Sequence, residues 1–283
     1  MTETMVPSGP SRLAVRSVGE GPDVVFVHGW PLHRETWRNV VDHLPGYRCH
    51  LIDNHGTGRT ETPAGADITL VDGFSSGIAD VVGALGIEQF HLVGNDSGGL
   101  IARYVAASMG DRVQSLVVTG SEIPNDRPWQ LRMFKLMGQA PFTGANLRLA
   151  MRFRPIRRSP IALAGAFADK SLLDGEFHEL FTKPLAQDRA LMKHQVRLLR
   201  SFGFDHIDAL ADIHTRIETP TLLIWGSDDP FFAVDKARAM LPQFARPAEL
   251  VAIEGGKLLV HEEFPERFAE LCAEHFSTST TAT

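Results

Sequence analysis

Short hydrophobic runs, each bounded by turn residues, recur along the chain. They have the length of strands, are rich in Val, Ile, Leu or Phe, and cover residues 23–27, 49–52, 89–93, 113–118, 221–225 and 250–253. Helix-length segments lie between several of these runs, at residues 100–108, 233–240 and 265–275, and Pro265 suits the first turn of a helix. This alternation predicts an α/β fold with a mostly parallel central sheet covered by helices on both faces.

The alternation stops between about residues 123 and 218, where Leu, Met, Phe and Arg recur at helical spacings without a strand-like run. We interpret this segment as a helical cap inserted into the α/β core. The expected domains are therefore a core at 1–122 and 219–276 and a cap at 123–218. The Ser- and Thr-rich tail at 277–283 is predicted to be disordered.

The first half of the predicted cap is strongly basic. Residues 123–170 contain nine Lys or Arg residues and only two acids, Asp126 and Asp169. A solvated helix face is the favoured interpretation, and a mouth that attracts an anionic substrate or a partner surface is the alternative.

Composition limits the function classes. The 283 residues are 43% hydrophobic and 22% charged, with a net charge of −6, so we expect neither nucleic acid nor a membrane as a partner. The acidic start of the chain and the lack of a long apolar run predict a soluble cytoplasmic protein. Cys49 and Cys272 lie in apolar surroundings, which is typical of buried, reduced thiols. The sequence leaves open whether the protein forms a homodimer.

One segment, Gly94-Asn95-Asp96-Ser97-Gly98-Gly99, runs from a predicted strand directly into a predicted helix. A nucleophile elbow has this arrangement, because its sharp turn requires small residues two before and two or three after the nucleophile. The glycines meet that requirement only if Asp96 is the central residue. Asp96 is thus the candidate nucleophile, and the Ser97 backbone N–H a candidate oxyanion donor. The alternative is a plain turn in which Asp96 caps the helix.

Three further segments complete a pattern. They are the strand and loop ending in His28-Gly29-Trp30-Pro31, the turn Asp53-Asn54-His55-Gly56-Thr57-Gly58-Arg59-Thr60, and the strand and turn ending in Gly226-Ser227-Asp228-Asp229-Pro230. Together with the elbow, they resemble the α/β-hydrolase superfamily over nearly the whole chain. The resemblance implies that the Trp30 N–H is the second oxyanion donor. It also implies that Asp229, rather than Asp228, orients the catalytic histidine.

The acidic nucleophile resembles that of haloalkane dehalogenases and epoxide hydrolases. The resemblance implies that Asp96 attacks a carbon atom to form an alkyl ester, which a histidine-activated water then cleaves. We therefore expect a hydrolase acting on carbon–halogen or epoxide bonds of a small or medium apolar substrate. Neither a metal nor a nucleotide cofactor is expected, because the histidines lack ligand spacing and the glycine-rich segments lack nucleotide fingerprints.

The histidine itself departs from the family pattern. Counting back from Pro265, its usual position falls on Leu258, and counting forward from the preceding glycines it falls on Lys257. One hypothesis is that His261, the only histidine of this loop, reaches the site and activates water with the help of Asp229. In the alternative, His261 is structural and Lys257 tunes the charge of Asp96.

A protein without a working histidine would stall at the ester, bind a ligand, or act as a cyclase or isomerase. A serine esterase that uses Ser97 is a third hypothesis. Trp30 and the cap residue Trp129 are candidate donors to a leaving halide. Glu122 follows a strand and is a second-choice triad acid or pocket residue, with a salt bridge at the cap hinge as its alternative role.

The two tyrosines, Tyr47 and Tyr104, lie outside the predicted cap. Epoxide hydrolases of this fold protonate the ring oxygen with cap tyrosines. The absence of cap tyrosines therefore weakens the epoxide hypothesis.

Overall fold

The computed structural model describes residues 1–159 and 163–280. Eight strands form one sheet in the order β1-β2-β4-β3-β5-β6-β7-β8. Their bounds are β1 Thr2–Ser8, β2 Ser11–Val18, β3 Asp23–Val27, β4 Arg48–Asp53, β5 Phe90–Asn95, β6 Val113–Thr119, β7 Thr221–Gly226 and β8 Glu249–Ile253. Neighbours from β4 to β8 are parallel, whereas β1 pairs antiparallel with β2 and β2 antiparallel with β4. The predicted α/β fold with a mostly parallel sheet is confirmed.

The six predicted hydrophobic runs correspond to β3 through β8. The N-terminal hairpin of β1 and β2 was not predicted. Much of β1 is exposed, and it forms the edge of the sheet, so its residues lack the continuous apolar run of a strand buried on both faces.

Thirteen α-helices lie in the described part of the chain. Their bounds are α1 Arg38–Val41, α2 Val71–Ala84, α3 Ser97–Met109, α4 Trp129–Gln139, α5 Thr143–Arg152, α6 Arg154–Arg157, α7 Lys183–Gln187, α8 Arg189–Ser201, α9 Asp205–Asp208, α10 Leu210–His214, α11 Val234–Ala239, α12 Val260–Glu263 and α13 Pro265–Thr280. Consecutive strand residues face opposite layers, as strand geometry requires. Leu92 packs in the core that includes α2 and α3, whereas Val93 packs in the core that includes α13.

Residues 123–218 lie between β6 and β7, and those of them that the structure describes form helices and turns with no strand. We keep the name cap for this segment. Cys49 and Cys272 are buried free thiols, as predicted. No helix among the described residues is both long enough and apolar enough to span a bilayer.

The prediction of a disordered tail is wrong for residues 277–280, which continue α13. The hydroxyls of Ser277, Thr278 and Ser279 donate to carbonyls three or four residues earlier, at Glu274 and His275. These bonds satisfy polar groups in the last turn of a helix whose apolar side packs on the sheet. Residues 281–283 lie outside the described residues.

Candidate active site

The turn between β5 and α3 is centred on Asp96. Asp96 has φ +52° and ψ −133°, a strained conformation for a residue other than glycine, and its N–H donates to the carbonyls of Thr119 and Gly120. A Cβ atom on Gly94 would lie 2.3 Å from the Gly98 carbonyl oxygen, so only glycine fits there. The Asp96 side chain makes no capping bond to α3. The local geometry is therefore that of the predicted elbow rather than of a helix cap.

The Asp96 carboxyl lies among the predicted oxyanion donors. The Ser97 hydroxyl lies 3.5 Å from its Oδ2 atom, and the neighbouring Ser97 backbone N–H lowers the pKa of the carboxyl. A Cβ atom on Gly29 would lie 2.6 Å from Oδ2, so the backbone of that loop approaches the carboxyl closely. The Trp30 backbone N–H donates to the Ser97 hydroxyl at 2.9 Å. The Trp30 N–H is thus linked to the Asp96 carboxyl only through the Ser97 hydroxyl.

Glu122 is the second acid of this site. It follows β6, is buried, and its Oε2 atom accepts a hydrogen bond from the Ser121 hydroxyl at 3.0 Å. The Arg103 guanidinium donates to that hydroxyl and to the Glu122 carbonyl, both at 2.8 Å, and not to the Glu122 carboxyl. The structure therefore provides no hinge salt bridge for this carboxyl among the described residues.

Asp96 and Glu122 form an interacting pair of acids. Burial raises the pKa of both carboxyl groups, and the negative charge of Glu122 raises the pKa of Asp96 further. Two such groups ionise in two steps that belong to the pair, so the pair tends to hold one proton and one negative charge. An acid and a carboxylate then share the same site.

Asp229 follows β7, as the sequence predicted. Its Oδ1 atom accepts the N–H groups of Phe231 at 2.8 Å and Phe232 at 3.1 Å. Its Oδ2 atom is buried and has no hydrogen-bond partner among the described residues. Burial raises the pKa of Asp229 to about 7, although the two N–H groups oppose the shift, and its charge also raises the pKa of Asp96. The Asp229 carboxyl lacks the partner that a triad acid would orient.

A cavity of about 420 Å³ opens above Asp96, Ser97, Trp30 and Glu122. The rest of its lining is almost wholly apolar and comes mainly from the cap and from the loops after β7 and β8: Leu131, Met133, Phe134, Met137, Leu147, Met151, Ile156, Leu163, Leu199, Phe202, Phe231, Phe232 and Leu258. Within the described part of the chain, no group of three His, Cys, Asp or Glu side chains is arranged to hold a metal ion. The site is an acid pair facing a hydrocarbon-lined space.

The structure does not bring His261 to this cavity, and the prediction that it activates water there is wrong. Its ring is buried, packs at a tilt against Trp37 with centroids 4.3 Å apart, and contacts Phe268. Its Nε2 atom lies 2.8 Å from the Thr36 hydroxyl, which itself donates to Glu262. Burial lowers the pKa of His261 to about 3, so the ring is neutral. Residue 261 already lies in α12, and its side chain faces α13.

Leu258 occupies the place where counting back from Pro265 puts the family's histidine. It lines the cavity, and its carbonyl accepts a hydrogen bond from the Asn95 amide at 3.1 Å. The described lining of the cavity contains no imidazole. Lys257 is absent from that lining and from the groups that shift the pKa of Asp96, so the structure gives no support to a tuning role for it.

The predicted halide donors are not available either. The Trp30 indole N–H donates to the Gln195 carbonyl at 3.1 Å, and its ring packs edge-on against Phe134. Trp129 begins α4 with 56% of its surface exposed and does not line the cavity, so the prediction that it binds a leaving group is wrong. Tyr104 donates to the His206 carbonyl.

Several residues of the site were not predicted. Asn95 holds the loop of Leu258, and Phe231 and Phe232 both line the cavity and position Asp229. Asn95 stands next to the elbow, which was a signal for a positioning role. The apolar side chains carried no signal, because Leu, Met and Phe at helical spacing are equally typical of a packed core.

Comparisons with known proteins agree with this architecture. A family model for the α/β hydrolase fold matches residues 22–265. The chain belongs to the α/β-hydrolase fold family. It is 29% identical over 270 residues to a pimeloyl-[acyl-carrier protein] methyl ester esterase of Aeromonas hydrophila, covering 93% of this chain and 98% of the relative. It is 25% identical to haloalkane dehalogenase 2 of Mycobacterium bovis, covering 95% and 93%. The solved epoxide hydrolase CorEH superposes with a TM-score of 0.80 at 18% identity, covering 98% of each chain.

Proposed function

We propose that this member of the α/β-hydrolase family hydrolyses an apolar epoxide, with Asp96 as the nucleophile and Glu122 as the proton carrier. The observation that carries the proposal is the acid pair at the floor of an apolar cavity, with Asp96 at the apex of the elbow. The relatives named as esterases and dehalogenases support hydrolysis in general. The bond that is cleaved is inferred from the site.

The position of Asp96 favours covalent attack. Its Oδ2 atom lies close to the backbone of Gly29 and 3.5 Å from the Ser97 hydroxyl, while part of the residue remains accessible. The proposed first step starts from the form of the pair in which the proton has moved from Asp96 to Glu122. The ionised Asp96 then attacks a ring carbon, the carbon–oxygen bond of the epoxide breaks, and the ring oxygen takes the proton of Glu122. The products of this step are an Asp96 alkyl ester with a neighbouring hydroxyl and an ionised Glu122.

The second step needs a base, and Glu122 is then in the correct protonation state. It accepts a proton from a water molecule that attacks the Asp96 ester carbonyl, while the Ser97 and Trp30 N–H groups stabilise the developing oxyanion. The Trp30 N–H must leave the Ser97 hydroxyl to do so. Collapse returns the proton from Glu122 to the departing alkoxide. The Asp96 carboxylic acid that remains passes its proton to Glu122, which restores the starting pair.

An epoxide fits this site better than a haloalkane. The halide of an unactivated haloalkane departs with the help of N–H donors, yet the Trp30 indole is already bonded and Trp129 lies outside the cavity. An epoxide oxygen needs a proton instead, and the acid pair can supply one. Glu122 would then protonate the ring oxygen, which cap tyrosines do in the epoxide hydrolases of this fold.

A non-hydrolytic reaction, such as a cyclisation or an isomerisation, is the second candidate. Two observations favour it, namely Leu258 in the place of a histidine and the buried Asp229 Oδ2 atom that has no partner. In that case the acid pair would move protons within a substrate, and no water oxygen would enter the product.

The test is turnover of a panel of terminal and internal apolar epoxides in ¹⁸O-labelled water, followed by mass spectrometry of the diol and of the peptide that contains Asp96. We expect a diol, and label in the Asp96 carboxyl, because water attacks the ester carbonyl. Label in the diol alone from the first turnover would show that water attacks the carbon directly. Product formed without any label would favour the second candidate. The Asp96→Asn variant is the control.

A further inference from the structure

The exposed large apolar side chains are concentrated in one part of the cap. Apart from Met1, all such side chains in the described residues lie between positions 129 and 156. The most exposed are Phe142 at 81% and Leu136 at 73%, and Leu149, Phe153 and Ile156 are about half exposed. A soluble monomer rarely exposes so many large apolar groups within one short segment.

The same segment carries positive charge. No Asp or Glu occurs between Asp126 and Asp169, whereas eight Lys or Arg residues do, although the whole chain has a net charge of −6. Arg154, Arg157 and Arg158 share a single acid, Asp174. Arg132 and Arg152 are exposed on α4 and α5 among the apolar side chains. The pattern is that of an amphipathic surface with a basic rather than a mixed polar part.

This surface also borders the cavity. The helices α5 and α6 bear the exposed Leu149 and Ile156, and they contribute Leu147, Met151 and Ile156 to the cavity lining. Ile156 belongs to both, because it is about half exposed at the surface and also lines the cavity.

We propose that the surface formed by Leu136, Phe142, Leu149, Phe153, Arg132 and Arg152, the cap docking face, binds an anionic lipid membrane and takes up apolar substrate from it. Phe and Leu side chains would insert at the headgroup boundary while the arginines contact lipid phosphates. This departs from the sequence-based expectation of no membrane partner, which rested on the net charge of the whole chain.

Charge argues against a second copy as the occupant, because two basic faces would repel each other. An acidic soluble protein would satisfy the arginines. It would not account for protruding Phe142 and Leu136 beside an apolar cavity, which a lipid phase does. The proposal is independent of the reaction proposed for Asp96 and Glu122.

The test is co-sedimentation of the full chain with phosphatidylcholine vesicles, with and without phosphatidylglycerol. We expect binding only to the vesicles that contain phosphatidylglycerol. The Phe142→Ser/Phe153→Ser variant should lower the partition coefficient at least about tenfold, because exposed apolar groups supply part of the affinity. Arg132→Glu/Arg152→Glu should lower it about tenfold or more, and added salt should weaken binding.

Arg238→Glu/Arg246→Glu is the matched control, since it makes the same charge change at exposed positions of the core. It should change binding by less than about twofold. Unchanged thermal unfolding would show that each variant remains folded. Absence of binding to anionic vesicles would overturn the proposal. The proposal would also be overturned if the arginine variant lowered vesicle binding and the phenylalanine variant did not, which would indicate an acidic soluble partner. A dimer seen in light scattering and abolished only by the phenylalanine variant would overturn it as well.

Discussion

Two buried acid clusters of this molecule differ in what their carboxyl groups contact. Glu262, beside His261, accepts hydrogen bonds from the Thr36 hydroxyl and from the Arg38 guanidinium, each at 2.9 Å. Asp96 and Glu122 have only hydroxyl and backbone donors, and both line the cavity. Burial raises the pKa of the acids in both clusters, so a raised pKa alone does not mark the reactive site.

The contacts explain the different roles. Arg38 joins Glu262 to the cap residue Glu176, so the first cluster links the core to the cap. The Glu262 carboxyl is bonded to a cation and does not line the cavity above Asp96. In the second cluster no cation donates a hydrogen bond to either carboxyl among the described residues, although the charge of Arg103 lowers the pKa of Glu122. This cluster opens onto an apolar volume. In the proposed reaction, a substrate takes beside the acid pair the place that Arg38 has beside Glu262.

Removing one acid from each cluster tests whether the two clusters differ in their effect on activity. Asp96→Asn should lower kcat/KM for an epoxide at least about 10³-fold, because the amide cannot form the alkyl ester. Glu262→Gln should leave kcat/KM within about threefold of the wild type, because Glu262 does not touch the cavity. Steady-state kinetics of the two variants checks this. Equal losses would contradict the division into a reactive and a structural cluster.

Glu122→Gln separates the two proposed steps. Loss of the proton donor should lower kcat by about 10²–10³-fold, because an amide cannot protonate the ring oxygen. Stopped-flow or quench measurements of a single turnover check which step is slow. A Glu122→Gln enzyme as fast as the wild type would assign the proton transfers to another group.

The raised pKa of Asp229 can be tested through the pH dependence of the free energy of unfolding. Its pKa in the folded protein, about 7, is raised from 3.8, so the folded state keeps a proton that the unfolded state has lost between about pH 4 and pH 7. The burial of Asp229 therefore leaves the free energy of unfolding unaffected below about pH 4. It lowers that free energy progressively as the pH rises from about 4 through about 7. Asp229→Asn removes that dependence while keeping an acceptor for the Phe231 and Phe232 N–H groups.

The Asp229→Asn variant should therefore gain stability relative to the wild type as the pH rises. The difference in the free energy of unfolding should grow from under about 1 kcal/mol at pH 4 to about 4 kcal/mol at pH 8. Urea unfolding at the two pH values measures the difference. A difference that does not change with pH would mean that Asp229 is ionised in the folded protein.

His261→Ala should have the smallest effect on the reaction. Loss of the Thr36 hydrogen bond and of the packing on Trp37 should lower the free energy of unfolding by about 2–4 kcal/mol. The kcat of the folded variant should stay within about twofold of the wild type. Chemical unfolding and steady-state kinetics check the two parts. A large loss of kcat with stability intact would restore His261 to the mechanism.

The sequence predicted the core of the fold because strands buried on both faces have continuous apolar runs. It predicted the elbow because Gly94 and Gly98 are compatible with only one apex residue. It missed β1 and the end of α13, where edge exposure and side-chain hydroxyl bonds replace apolar patterning. These features depend on neighbours that a linear pattern does not contain.

The error at His261 has a similar origin. Spacing from Pro265 identified Leu258 as the residue at the histidine position, and the structure places Leu258 at the cavity. The prediction nevertheless chose His261 because it was the only imidazole of the loop. The prediction therefore gave more weight to residue type than to position along the backbone. Glu122 was predicted only as a second-choice triad acid or pocket residue, because its burial and the contacts of Arg103 beside it follow from the packing around β6.

The most direct test of the central claim, that the Asp96 carboxyl reacts with carbon, uses the Glu122→Gln variant and a benzylic bromide, whose leaving group needs no proton. The ester should form and persist, because the base for its hydrolysis is missing. Peptide mass spectrometry should then find one benzyl group per chain on the Asp96 peptide, and none on that peptide in Asp96→Asn/Glu122→Gln. No adduct on Asp96, or an equal adduct in the double variant, would contradict the account.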